Sequence, residues 1–187
     1  QNYHLIQYDA NTPYTQNTLY EIFLGICKAK GMTYITDIGT LKLYVQRYIV
    51  QGFKENGLDE FYENPSYIYN AKLMKLKAHT LENIMSVVEN VNYYPSEFEL
   101  MILVKIAQVR VIVVGRKTKD NEQGIAMYPD KYQSKYNSYI VMCSSYDRFN
   151  HHDVYQLTVA NRSSKTPKII MRKHEVSPPL LQLVEML

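Results

Sequence analysis

The spacing of apolar residues changes near residue 108, and this change constrains the fold more than any other feature of the sequence. Up to that point apolar residues recur every three to four positions, which is the spacing of an amphipathic helix. The predicted helices cover residues 18–30, 36–53, 80–91 and 97–108. Beyond it, β-branched and alternating segments predict strands. The predicted strands cover residues 109–114, 139–143, 154–159 and 168–171. Helices early and strands late predict an α+β domain with helices packed on a sheet.

Short polar signals mark the starts of two of these helices. Thr15 or Asn17 can cap the first helix, because their side-chain oxygens can accept a hydrogen bond from the first helical turn. Ser96 and Glu99 have the spacing of a capping box at the start of the fourth helix. That helix is apolar on most sides, which predicts that it is buried between other layers.

The length of 187 residues suits one domain with short appendages. Residues 1–14 are polar and rich in tyrosine, and we expect an N-terminal arm there. Residues 15–175 form the predicted domain, within which Gly57 and Pro65 bracket a polar connection after the second helix. Residues 176–187 are a C-terminal tail that either packs on the core as a final helix or docks a partner protein. Core packing is the favoured interpretation.

Charge and cysteine content narrow the functional classes. The net charge of +3 and pI near 8.7 are only mildly basic, whereas a nucleic-acid-binding domain has a denser basic patch. Cys27 and Cys143 are far apart and show no Cys-x-x-Cys spacing, so we expect no metal site and no cofactor. No apolar run reaches the ~18 residues that span a bilayer, and no signal peptide is visible at the start. These features favour an intracellular, cytoplasmic protein without membrane contact.

The segment Asn150–Asp153 carries the strongest chemical signal. His151 and Asp153 are two residues apart just before a predicted strand, so their side chains point to the same side of an extended chain. A carboxylate there can fix the histidine tautomer and stabilise its charged form. The pair therefore resembles the base and the orienting group of a catalytic triad, although histidine pairs are also common on surfaces.

A nucleophile for this pair is harder to find. Cysteine nucleophiles favour helix N-termini, where the dipole stabilises a thiolate. Cys27 falls in the last turn of the first helix, and Cys143 falls within a predicted strand. Thr18 stands at a helix N-terminus, but threonine nucleophiles usually draw on a free N-terminal amine, and Thr18 is internal. A capping role for Thr18 is the favoured interpretation on these grounds.

Three segments in this order resemble the ovarian tumour (OTU) family of deubiquitinating cysteine proteases. Residues 15–20, Thr-Gln-Asn-Thr-Leu-Tyr, are similar to the Asp-Gly-Asn-Cys-Leu-Phe of the family's catalytic helix. Residues 96–103 and 109–114 resemble its buried helix and the core strand that follows. Residues 151–154, His-His-Asp-Val, resemble its His-Tyr-Asp-Val. The resemblance spans residues 15–160. It implies a papain-like, OTU-type fold with a central, mostly antiparallel sheet, and ubiquitin or a ubiquitin-like protein as partner.

The resemblance also implies roles for individual residues. His151 takes the position of the general base, Asp153 that of the orienting acid, and Thr18 that of the nucleophile. Because a threonine hydroxyl has a far higher pKa than a thiol, the resemblance implies a catalytically silent member.

The loop before the nucleophile position departs from the family pattern as well. Thr15 stands where the family has an acidic residue, Gln16 where it has glycine, and Asn17 matches. In the family this loop helps to form the oxyanion site, so two catalytic devices are altered together. An engineered knockout would normally change the cysteine alone, so these differences are interpreted as natural.

Two other functions remain open. The first is an active isopeptidase that uses Thr18, or Cys27 under a different alignment. The second is a nucleic-acid-associated domain, in which the basic residues of 110–119 and 165–173 contact phosphates and nearby tyrosines stack on bases. Solvated turns and a strand edge are the favoured interpretation of those charges.

Overall fold

The computed structural model describes most of the chain and divides it into two compact units. The described residues are 3–5, 13–63, 71–78, 80–116, 123–129, 136–147, 152–160 and 169–186. One unit covers Thr15–Ile106 and is helical, and the other combines Gln1–Tyr14 with Ala107–Leu187 and contains the sheet. The division in the chain therefore falls at the predicted change from helical to strand spacing.

Although the short helix Ala71–Met74 was not predicted, most of the helical unit is built from segments predicted to be helices. Its described helices are α1 (Thr18–Ala29), α2 (Ile38–Glu63), α3 (Ala71–Met74), α4 (Leu81–Val88) and α5 (Glu97–Ala107), the last of which ends at the boundary of the unit. Leu19, Phe23 and Ile26 of α1 are almost fully buried, as their spacing predicts. After α1, Gly31 adopts a positive φ of 74°, a conformation that favours glycine and ends the helix.

Helix α2 is longer than predicted. It was expected to end at Phe53, before a polar connection that begins at Gly57, but it continues through Gly57 to Glu63. That expectation was wrong because an isolated glycine costs a helix only about 1 kcal/mol and does not by itself terminate it. The start of α2 is fixed by Asp37, whose Oδ1 accepts a 2.7 Å hydrogen bond from the Thr40 N–H.

Side-chain capping residues fix the starts of two further helices. The Thr80 hydroxyl accepts from the Asn83 N–H at 3.3 Å, at the N-terminus of α4. At the start of α5 the Ser96 N–H donates to Glu99 Oε2 at 2.8 Å, and the Phe98 N–H donates to Ser96 Oγ at 3.3 Å. The reciprocal capping predicted from Ser96 and Glu99 is thus confirmed.

The second unit is a mixed sheet. Its described strands are β1 (Tyr3–Leu5), β2 (Arg110–Arg116), β3 (Gln123–Tyr128), β4 (Ser138–Asp147), β5 (His152–Ala160) and β6 (Met171–Arg172). The order is β1-β5-β4-β2-β3, and β6 pairs with β4. Strands β2 and β4 are parallel, while every other described pair is antiparallel. The predicted α+β class with a mostly antiparallel sheet is confirmed.

The ends of the chain contribute to this sheet unit. Within the predicted N-terminal arm, Tyr3–Leu5 pairs with β5 as an edge strand. Within the C-terminal segment, Pro178–Glu185 forms helix α6. Val176 and Val184 are buried in one cluster with residues of β2, β4 and β6, while Leu183 remains half exposed. The described tail thus supplies core contacts, as the favoured interpretation held. No helix among the described residues has the length and apolar character needed to cross a membrane.

The burial pattern predicts how substitutions in the helical unit change stability. Ile26 is 1% exposed and Leu43 is 54% exposed. We expect Ile26→Ala to lower the free energy of unfolding by about 2–5 kcal/mol, and Ile26→Val by about 0.5–1.5 kcal/mol, because buried methyl groups are lost and a cavity is left. The matched control Leu43→Ala should stay within about 0.5 kcal/mol of the unsubstituted protein. Urea unfolding followed by circular dichroism measures all three, and equal losses at both positions would contradict this packing.

Candidate functional site

Residues 15–18 form a tight turn immediately before α1, here called the 15–18 turn. The Thr18 N–H donates to the Thr15 carbonyl at 3.1 Å, and the Thr15 N–H donates to Thr18 Oγ1 at 2.8 Å. The two hydroxyls lie 3.3 Å apart, and Thr15 Oγ1 also accepts from the Asn17 N–H at 3.2 Å. The two threonines therefore close the turn on each other through both backbone and side-chain groups.

Three backbone N–H groups of the turn are hydrogen-bonded within it. The N–H groups of Thr15, Asn17 and Thr18 all have acceptors inside the turn. An oxyanion hole requires backbone donors aimed at the reacting oxygen rather than at the protein itself. The Thr18 hydroxyl is likewise bound to Thr15, and the Thr18 residue is only 6% exposed. The Thr15 and Thr18 side chains thus stabilise the turn itself, whereas the N-cap residue Asn17 makes no side-chain capping hydrogen bond to α1, so the predicted cap by Asn17 is wrong.

Asn17 links the turn to the second helix. The ammonium group of Lys42, on α2, donates to Asn17 Oδ1 at 2.8 Å and lies 5.2 Å from the ring centroid of Tyr20. Cation–π geometry of this kind stabilises a positive charge over an aromatic face. Partial burial lowers the pKa of Lys42, because removal from water disfavours the charged form.

The Glu99 carboxyl group is buried and influences Tyr20 electrostatically. Glu99 is fully buried, with Oε1 accepting from the Tyr93 hydroxyl at 2.6 Å and Oε2 from the Ser96 N–H at 2.8 Å and the Ser96 hydroxyl at 3.0 Å. Burial raises the pKa of Glu99 by more than these hydrogen bonds lower it. Burial, and secondarily the charge of Glu99, raises the pKa of the Tyr20 hydroxyl.

The structure brings some of the predicted site residues together and does not test the roles of the others. Thr15, Gln16, Asn17 and Thr18 are brought together in one turn, as the sequence indicates. His151 lies outside the described residues, so its role as a base stays a prediction. Asp153 lies in β5, where its backbone pairs with Tyr146 of β4, and its role as the orienting group also stays a prediction.

The two cysteines do not provide an alternative nucleophile with a stabilised thiolate. Cys27 is fully buried in α1, and burial raises the pKa of its thiol. Cys143 lies in β4, is partly buried, and has a thiol pKa raised by the same cause. A nucleophilic cysteine requires the opposite shift. Within the described part of the chain, no group of three or more histidine, cysteine, aspartate or glutamate residues could hold a metal ion.

Sequence reasoning missed two groups near the 15–18 turn. Glu99 was interpreted only as a capping-box residue at the start of the fourth helix, and its complete burial was not foreseen. Lys42 was not singled out, because one lysine in an amphipathic helix carries no distinguishing local pattern. The excess of apolar residues around Glu99 in α5 is a signal that could have revealed its burial, since a helix apolar on most sides has little exposed surface.

Comparison with known proteins adds information on the fold. No protein-family model matches the chain, and no curated protein matches it. Among solved structures, an ovarian tumour (OTU) domain in complex with ubiquitin is similar with a TM-score of 0.55 and 14% identity, covering 93% of this chain and 78% of that one. The OTU domain of OTUD1 gives a TM-score of 0.44 and 11% identity, covering 80% of this chain and 83% of that one.

The first of these similarities shows that the chain has the fold of an OTU domain. The fold implied by the resemblance of the three short segments is therefore confirmed. At this level of identity the comparison concerns the fold alone.

The buried carboxyl group predicts an unusual dependence of stability on pH. Because the pKa of Glu99 is raised in the folded state, the folded protein holds this proton more tightly than the unfolded chain does. The associated stabilisation is fully present below the ordinary pKa of 4.5 and is lost as pH rises through the folded-state value. We expect Glu99→Gln to remove this contribution, because a glutamine amide can contact both Tyr93 and Ser96 without carrying charge.

Urea unfolding from about pH 5 to about pH 8 measures the effect. The control is Glu82→Gln, a change at an exposed glutamate of α4, which should leave the pH dependence as in the unsubstituted protein. A pH profile that is unchanged in Glu99→Gln would show that Glu99 does not titrate in this way.

Proposed function

We propose that this chain is a catalytically silent OTU-type domain that binds ubiquitin, or another protein partner, without cleaving it. The observation that carries the proposal is the closure of the 15–18 turn, in which the Thr18 hydroxyl and three backbone N–H groups are bound within the turn itself. The two cysteines are free thiols, which favours a reducing, intracellular setting for this activity.

The absence of cleavage follows from the chemistry of the position. A threonine hydroxyl is a weak nucleophile unless a base or an N-terminal amine activates it. The Thr18 hydroxyl accepts the Thr15 N–H at 2.8 Å, so one of its lone pairs is already engaged. Even with a base nearby, the transition state would lack the donors that normally stabilise the oxyanion, a loss worth about 10²–10³-fold for a single donor.

Binding of ubiquitin is supported by the fold. The structure with a TM-score of 0.55 is an OTU domain in complex with ubiquitin. A binding surface uses the shape and polarity of many side chains, and it does not depend on the nucleophile. A domain that has lost its reactive group can therefore keep its partner, which is the basis for proposing ubiquitin first.

Titration of isotope-labelled ubiquitin with the protein, followed by NMR, is the first test. We expect saturable shifts confined to one face of ubiquitin, while di-ubiquitin chains incubated with the same sample remain intact. An unrelated protein of similar size and charge serves as the control for non-specific contacts. Cleavage of di-ubiquitin would contradict the proposal. Absence of both binding and cleavage would exclude ubiquitin and direct the search to other protein partners.

A second test restores the family pattern in the 15–18 turn. Thr18→Cys alone should react slowly with ubiquitin carrying a thiol-reactive C-terminus, because Thr15 and Gln16 still stand where the family has an acidic residue and glycine. The triple change Thr15→Asp, Gln16→Gly and Thr18→Cys restores the family pattern of this loop and should raise the labelling rate at least tenfold, about 1.4 kcal/mol in barrier height. Mass spectrometry of the adduct measures the rates.

The matched control adds His151→Ala to the triple variant. We expect labelling to fall back to the rate of the single variant, because the thiol loses its base. Unchanged labelling would contradict the assignment of His151, and rapid labelling of the unsubstituted protein would contradict the silent state.

A further inference from the structure

A pocket of about 280 Å³ lies within the helical unit, beside the 15–18 turn. It is called the Lys42 pocket here. Residues that line it include Asn17, Tyr20, Lys42, Asn90, Val91 and Tyr93. The volume is near the lower end of the range of small-molecule sites, so it suits one small ligand rather than a polymer.

Lys42 supplies a positive charge at this pocket. Its ammonium group is held by Asn17 Oδ1 at 2.8 Å and by the ring of Tyr20, both of which are uncharged partners. None of the ion pairs between described residues involves Lys42. Removing an ammonium group from water is costly unless an anion compensates it. The ammonium group is thus held by uncharged partners, and an anion entering the pocket could pair with it.

One acidic residue lies on the same pocket. Glu89 is at the C-terminal cap of α4 and is exposed, so water and salt screen its charge. Its carboxylate weakens the attraction for an anion without neutralising Lys42. Removing the charge of Glu89 should therefore strengthen the binding of an anion, which provides a control for the binding experiment.

The rest of the wall is suited to an uncharged group. The rings of Tyr20 and Tyr93 are both buried side chains that line the pocket, and Val91 at the same pocket is 82% exposed. The position of Tyr93 is fixed by the hydrogen bond that its hydroxyl donates to buried Glu99 at 2.6 Å. The side-chain amides of Asn17 and Asn90 add donors and acceptors.

We propose that the Lys42 pocket binds a small organic oxyanion, in which a carboxylate or phosphate is joined to a short apolar or planar group. The oxyanion pairs with the Lys42 ammonium through a charge-assisted hydrogen bond. The apolar group lies against the tyrosine rings. This site goes beyond ubiquitin binding, because its ligand is a small molecule and its test needs no partner protein.

Titration of the protein with phenyl phosphate, benzoate, inorganic phosphate and benzyl alcohol tests the proposal by NMR. We expect saturable shifts of backbone amides at residues 16–20, 42–46 and 88–93 with phenyl phosphate or benzoate. The stronger of these two identifies the acid group. Inorganic phosphate should bind at least tenfold more weakly, and benzyl alcohol should not saturate. Equal affinity for inorganic phosphate and phenyl phosphate would overturn the role of the rings.

Charge variants identify the site. Lys42→Met should weaken the better ligand at least tenfold, and Glu89→Gln should strengthen it about two- to threefold, since the first removes the attraction and the second a screened repulsion. The matched control Lys28→Met changes an exposed lysine of α1 and should have no effect. Equal weakening by Lys28→Met, or shifts away from the pocket, would show that the anions bind the surface non-specifically and would overturn the proposal.

Discussion

The hydrogen bonds of buried Glu99 organise the helical unit around the candidate site. The Glu99 carboxyl group accepts hydrogen bonds from Ser96, at the start of α5, and from Tyr93, in the preceding loop. Its charge also contributes to the raised pKa of the Tyr20 hydroxyl on α1. Of these groups, Tyr20 and Tyr93 also line the Lys42 pocket. Burying a polar group costs free energy unless all of its hydrogen-bond partners are in place. Glu99 therefore favours the one packing of these segments in which its partners are present.

Much of the fold follows from local signals that can be read directly from the sequence. The starts of α4 and α5 are set by Thr80 and Ser96 within a few residues of the backbone groups that they satisfy. Such signals are short in range, and they therefore survive in a single sequence without knowledge of the tertiary structure. The change from helical to strand spacing at residue 108 was visible for the same reason.

The features that sequence reasoning missed depend on partners distant in the chain. Strand β3, from Gln123 to Tyr128, was not predicted, because its pairing with β2 rather than its own composition makes it a strand. The site shows the same limit: the Asn17–Lys42 hydrogen bond joins residues 25 positions apart. Thr15 and Thr18 could be located from the sequence, but their mutual hydrogen bonds could be seen only in the folded chain.

The closed 15–18 turn has a consequence for the side chains that position 18 can accept. The Thr18 hydroxyl now accepts a backbone N–H, and a thiol accepts hydrogen bonds more weakly. Exchanging Thr18 for cysteine would therefore loosen the 15–18 turn. The Thr18 side chain is in this sense part of the scaffold that leads into α1, and position 18 favours a residue whose side-chain oxygen can accept this hydrogen bond.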